Sequence, residues 1–210
     1  MKKTFLSLLL LSFMACSENS EYPDSGHPFH PEWSKNANIY EVNIRQYTPE
    51  GTFSAFQKHL PRLKKMGVNI LWLMPIQPIG KVKRKGLLGS YYSISDYKAI
   101  NPEFGSEQDF LELVSNAHEL GLKLILDWVP NHTAWDHEWI SDHPDYYYKD
   151  KSTGVISNGR DDQNNPTDWT DVAELDYENI AMQKDMKKEM LWWITNFQID
   201  GFRCDMAGGQ

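Results

Sequence analysis

The sequence predicts an α/β fold: a parallel sheet flanked by helices, with a long insertion before its fourth strand. Two near-continuous apolar runs, "VNILWLMPI" (68–76) and "LKLILDWV" (122–129), read as strands buried on both faces. Segments of helical period alternate with the strands. Some forty residues of irregular sequence follow the third strand, a length that a compact domain carries only as a functional loop or a small subdomain. The chain has 210 residues, 40% of them hydrophobic, which is ample for one sizeable core.

The first strand lies in the β-rich "NIYEVNIRQY" (38–47). "TFSAFQKHLPRLKKMG" (52–67) spaces Phe53, Phe56, Leu60 and Leu63 at helical intervals, and Pro61 breaks or kinks that helix. After the strand at 68–76, "SEQDFLELVSNAHELG" (106–121) opens with Ser106 and Asp109 at capping-box spacing. It gathers Phe110, Leu113, Val114, Ala117 and Leu120 on one face and stops at Gly121. The third strand covers 122–129, and an insertion runs over 133–177. "NIAMQKDMKKEMLWWITNFQ" (179–198) aligns Met182, Met186, Met190, Trp193 and Phe197, and "GFRCDM" (201–206) is the fourth strand.

The N-terminus reads as an export signal. Lys2 and Lys3 precede the apolar run Phe5–Met14, too short to span a bilayer as a helix, and Ala15-Cys16 follows. With the polar "SENSEYPDSG" after it, Cys16 resembles the lipidated cysteine of a bacterial lipoprotein. Residues 1–15 are then the signal peptide and 16–35 a tether and entry segment. The expected location is the periplasm or the outer membrane, with the lipid on Cys16 holding the chain to a membrane. Cys204, the second of two cysteines, reads as a small buried residue on the helix side of its strand. The net charge of −8 and the absence of a basic stripe argue against nucleic acid as a partner.

A doubly wound sheet and a (β/α)8 barrel both fit the element order. No glycine-rich phosphate fingerprint follows the first strand, which weakens a nucleotide-binding version. Polar residues gather instead at the C-terminal ends of the strands: Asn43, Arg45, Asp127, Asn131, His132, Arg203 and Asp205. Barrel enzymes keep their active sites there. Residues two apart on a strand share a face, so Arg203 and Asp205 point the same way. A fixed cation beside a carboxylate favours its ionised form and orients it, as a nucleophile requires; an ordinary ion pair has the same spacing. Asp127 is placed to reach Arg203 from the neighbouring strand. Asn131 offers an oxygen to a hard cation such as calcium, and His132 a donor to a sugar hydroxyl.

Taken together, "DWVPNH" (127–132) and "GFRCDMA" (201–207) resemble two signature stretches of the α-amylase family of glycoside hydrolases, glycoside hydrolase family 13. "GSYYSISDYKAINPEFGS" (89–106) is similar to the family's segment after the second strand, with Tyr92 four residues before Asp96, and "VAELDYEN" (172–179) is a weaker match. The resemblance covers roughly 36–207. It implies a (β/α)8 TIM barrel of which the first four strands are present (36–132 and 178–210), with an inserted subdomain at 133–177.

It also implies roles. Asp205 matches the catalytic nucleophile that forms a covalent glycosyl-enzyme, and Arg203 the arginine that holds it ionised. Tyr92 and His132 match residues that bind the sugar at the cleavage subsite. Asp127, grouped with them, matches an aspartate that bonds the arginine, and Asn131 a calcium-ligating position in members that bind calcium; no organic cofactor is implied. Glu174 stands where the family more often has aspartate. The family's acid/base glutamate belongs to a fifth strand, so the expectation is a fragment that is inactive alone. The implied activity is retaining hydrolysis of α-glucosidic linkages in starch-like glucans or oligosaccharides, with two alternatives: an α-glucan transglycosylase, or a non-catalytic surface glycan-binding lipoprotein. Trp135, Trp139, Tyr146, Tyr147, Tyr148 and Trp169 in the insertion are candidates for stacking on sugars or for packing a small core of their own.

Overall fold

The computed structural model describes residues 31–161, 163 and 165–207. The expected signal peptide (1–15) and Cys16 lie outside these residues. The chain divides into two units, Met1–Lys35 and Asn36–Gln210. In the first, the described residues form a single 3-10 turn, Glu32–Ser34.

The second unit holds a four-stranded parallel sheet. Strand β1 (Ile39–Val42) is followed by the short helix α1 (Ile44–Tyr47). The segment 38–47 is therefore strand only in its first half. Asn43 is the extended N-cap of α1, and the chain turns back once β1 has paired. The helix expected over 52–67 is split, as Pro61 foretold. Helix α2 (Phe53–Phe56) passes through a 3-10 turn, Gln57–His59, into α3 (Leu60–Lys65), with Pro61 in the first turn of α3, where its missing N–H costs nothing. Phe53, Phe56, Leu60 and Leu63 all face the core.

Strand β2 (Ile70–Leu73) pairs with β1, and helix α4 (Glu107–Glu119) returns the chain to β3 (Lys123–Trp128), which pairs with β2. The Ser106 hydroxyl accepts from Asp109 N, and the Asp109 carboxylate accepts from Ser106 N. At the other end, Gly121 N donates to His118 O and Leu122 N to Ala117 O, a reciprocal C-terminal cap that needs the positive φ (65°) of Gly121.

The insertion builds a two-stranded antiparallel sheet from β4 (His132–Ala134) and β5 (Val172–Glu174), with helix α5 (Trp139–Asp142) between them. His132 pairs with Glu174 across it, so the insertion's sheet begins at His132 itself. Trp139, Tyr146 and Tyr147 are buried and pack this part; Trp135 is half-buried against the core.

Helix α6 (Ile180–Phe197), capped by Asn179, buries Met182, Met186, Trp193 and Phe197, with Met190 half-buried. Strand β6 (Gly201–Cys204) then pairs with β3, giving the order β1-β2-β3-β6. Two expectations change here. The strand ends at Cys204, so Asp205 lies in the turn that follows. Cys204 is exposed rather than buried, because β6 is an outer strand of the sheet among the described residues.

Candidate active site

Register brings the site together. Asp127 on β3 is the direct partner of Arg203 on β6. Arg203 Nη1 donates to Asp127 Oδ1 and Oδ2 at 3.1 and 3.3 Å and to Asp205 Oδ1 at 2.8 Å. Asp205 N donates to Trp128 O at 2.7 Å, which fixes the turn after the strand. One guanidinium nitrogen thus joins two carboxylates at the ends of neighbouring strands.

Asp127 is fully buried. Burial pushes its carboxyl above the usual range, while the Arg203 bond and charge and the Tyr92 bond pull it back. Tyr92 Oη donates to Asp127 Oδ2 at 3.1 Å, and Trp72 Nε1 on β2 donates to the same oxygen at 3.2 Å. Asp127 therefore acts through Arg203 rather than by touching a ligand. Burial works against the charge of Arg203, but its bonds to Asp127 and the charges of both aspartates more than offset this, and its pKa rises.

Tyr92, His132 and Asp205 line one cleft of about 520 Å³, with Trp169, Asp171 and Lys85 on its other walls. Two lines of contact set this shape. The segment bearing Tyr92 is held by an antiparallel bridge between Ile79 and Ile94 and by Ser93 Oγ, which donates to Asp171 O. The buried hydroxyl of Tyr97 lies 2.8 Å from Val129 O and 3.1 Å from His132 O, pinning the loop that delivers His132. Burial lowers the His132 imidazole to about 4, with the charge of Asp205 opposing, so it faces the cleft neutral. The Lys85 ammonium lies 3.8 Å from Asp171 Oδ1 and donates to Asp168 O, bridging the chain between β2 and α4 to the insertion.

The structure brings Arg203, Asp205, Asp127, Tyr92 and His132 into one neighbourhood. Asn131 is set back from the cleft. It directs its amide nitrogen at Glu174 Oε2 (3.1 Å) and His132 Nδ1 (3.2 Å). Among the described residues no group of three or more His, Cys, Asp or Glu is arranged to hold a metal ion, whereas calcium takes six to eight oxygens. Sequence reasoning missed Trp72, Lys85 and Asp171, which reach the site from other elements.

The family model of the α-amylase catalytic domain matches residues 18–209. The chain belongs to the α-amylase family. An α-amylase of Dictyoglomus thermophilum is 31% identical over 199 residues, covering 86% of this chain and 38% of that protein. A trehalose synthase/amylase of Mycolicibacterium smegmatis is 29% identical, covering 90% and 36%. Among solved structures, an α-amylase from Lactobacillus plantarum superposes with a TM-score of 0.75 at 44% identity, covering 82% of this chain and 39% of that one. The chain thus spans about two fifths of the length of these α-amylase-family relatives, and its four-stranded sheet is part of their barrel.

Proposed function

We propose that this chain supplies the nucleophile side of a retaining glycosidase site acting on α-linked glucosides of starch-like glucans or oligosaccharides. The observation that carries the reading is the Arg203 bridge: a guanidinium anchored on buried Asp127 and bonded to Asp205 at the wall of a cleft. In the proposed step an Asp205 oxygen attacks the anomeric carbon, the bond from that carbon to the leaving oxygen breaks, and a proton donor across the bond protonates the departing group. Neutral His132 hydrogen-bonds sugar hydroxyls, while Tyr92 and Trp169 offer ring faces to the sugar. Asp171, the other cleft carboxylate among the described residues, is paired with Lys85 and is not assigned as the donor. The intermediate is released to water or to a sugar acceptor by the same chemistry, and no step passes through calcium.

The test separates nucleophile from acid. An α-glucosyl fluoride needs no protonation of its leaving group, so the chain is expected to release fluoride from it, and Asp205→Asn to lose that release. Equal fluoride release by wild type and Asp205→Asn would refute the assignment.

We also propose that residues 1–15 direct export and that Cys16 carries a lipid that anchors the chain to a membrane; the charged start, short apolar run and polar tail support this.

A further inference from the structure

We infer that Trp72 is a positioning residue of the site, clamping both members of the Asp127–Arg203 pair with two different parts of one ring. Its indole Nε1 donates to Asp127 Oδ2 at 3.2 Å, and the Arg203 guanidinium carbon lies 4.8 Å over its ring centroid. The edge of an indole carries a donor and its face carries negative potential. One side chain therefore holds the carboxylate with its edge and the cation with its face.

The strand order explains why the residue must come from β2. Strand β3 lies between β2 and β6, and Asp127 projects from β3. Arg203 reaches from β6 across Asp127, and its far side comes to rest on the ring delivered by β2. Without that ring a guanidinium whose side chain is 37% exposed has anions on one side and water on the other.

The ring is not simply part of the core. Ile70, Leu71 and Leu73 of β2 are buried, and Leu71 and Leu73 belong to the main apolar cluster. Trp72 is the half-exposed member of the strand, and it belongs neither to that cluster nor to the partly buried shell packed on it.

The inference rests on the reading of Arg203 and Asp205 given above, but its test needs no turnover, so it stands or falls separately from glycosidase activity. In the 15N- and 13C-labelled full chain, the Trp72 indole N–H resonance is expected to move with the Asp127 carboxyl as pH is varied. Trp72→Phe keeps a ring face and removes the donor. It is expected to raise the Asp127 midpoint by on the order of one pH unit, as loss of one bond to an ionised group does, while keeping the upfield ring shift on the Arg203 Nε–H. Trp72→Leu removes both and is expected to lose the ring shift as well. A merely structural tryptophan would change melting temperature without moving the carboxyl titration. An indole resonance in the unmutated chain that ignores the Asp127 titration, or an unchanged Asp127 midpoint in Trp72→Phe, would overturn the inference; the first reading holds even where a variant fails to fold.

Discussion

Arg203 Nη1 bonds both oxygens of Asp127, at 3.1 and 3.3 Å, from the position directly opposite in strand register. The pairing is a property of the sheet: slipping β6 by one residue against β3 would turn Arg203 to the other face. Because the same nitrogen also bonds Asp205 at 2.8 Å, the register that builds the sheet also places the Asp205 carboxylate.

Removing the guanidinium leaves a buried carboxylate with fewer partners. Arg203→Met is expected to destabilise the chain by about 1–3 kcal/mol, less than for a fully buried pair because the arginine is partly exposed. Without Arg203, the Asp127 pKa rises further above its unfolded value. The deficit relative to wild type should therefore grow as pH rises from the wild-type folded value, itself already raised, through the variant's higher one. Urea melts of both proteins at pH 4 and pH 7 check this.

Burial lowers His132 and His137 to about 4 each, against a usual value near 6.5. A depressed histidine pKa means the unfolded chain binds the proton first. Stability from these residues is present above about 6.5 and is lost as pH falls toward about 4, by roughly 3 kcal/mol per histidine when complete. Burial raises Asp127 and Glu189, which act in the opposite sense at the acid end of that window. The steepest loss should come in its upper part. Urea midpoints measured from pH 7 to pH 5 should fall, and His137→Gln should reduce the slope.

Gly80 lets the segment carrying Tyr92 press against the insertion. A Cβ there would lie 2.3 Å from Ala134 Cβ and 2.7 Å from Asp136 Oδ1. Gly80→Ala is expected to cost about 1–3 kcal/mol through overpacking. Thermal denaturation of the variant tests this, and a melting point equal to wild type would refute the close approach.

The Ser106–Asp109 box is a local feature with a local cost. Ser106→Ala removes the oxygen that accepts from Asp109 N and should destabilise by about 1 kcal/mol without disturbing the site. Equilibrium unfolding gives the first quantity, and an unshifted Trp72 indole resonance the second.

In a bacterial host fed an alkyne-tagged fatty acid, the wild-type chain is expected to take up label and fractionate with membranes. Cys16→Ser should do neither; equal labelling of the two would remove the anchor from the account.

The helices were legible because each carries its own period and ends: the Ser106 box and the Met182–Phe197 face formed as their spacing implied, and Phe53 to Leu63 kept one buried face although the helix is split near Pro61. The Arg203–Asp205 geometry was legible for a similar reason, since the two residues are neighbours in sequence. Asp127 was legible through its strand position. The contribution of Trp72 was not, because it depends on β2 lying on the far side of β3, a relation between strands that no local pattern encodes. The second use of Tyr92, its hydroxyl on Asp127, was hidden in the same way. Cys204 was misjudged because its neighbours suit a covered strand, and its exposure comes from an outer place in the sheet. Asn43 marked the end of β1 only once its part as the cap of α1 was seen.

The most direct measurement is to treat the chain with a 5-fluoro-α-glucosyl fluoride, digest it, and map the modified peptide by mass spectrometry. The account predicts one added fluoroglucosyl group, on the carboxylate of Asp205, absent in Asp205→Asn. A label on another carboxylate, or none in the wild-type chain, would contradict it.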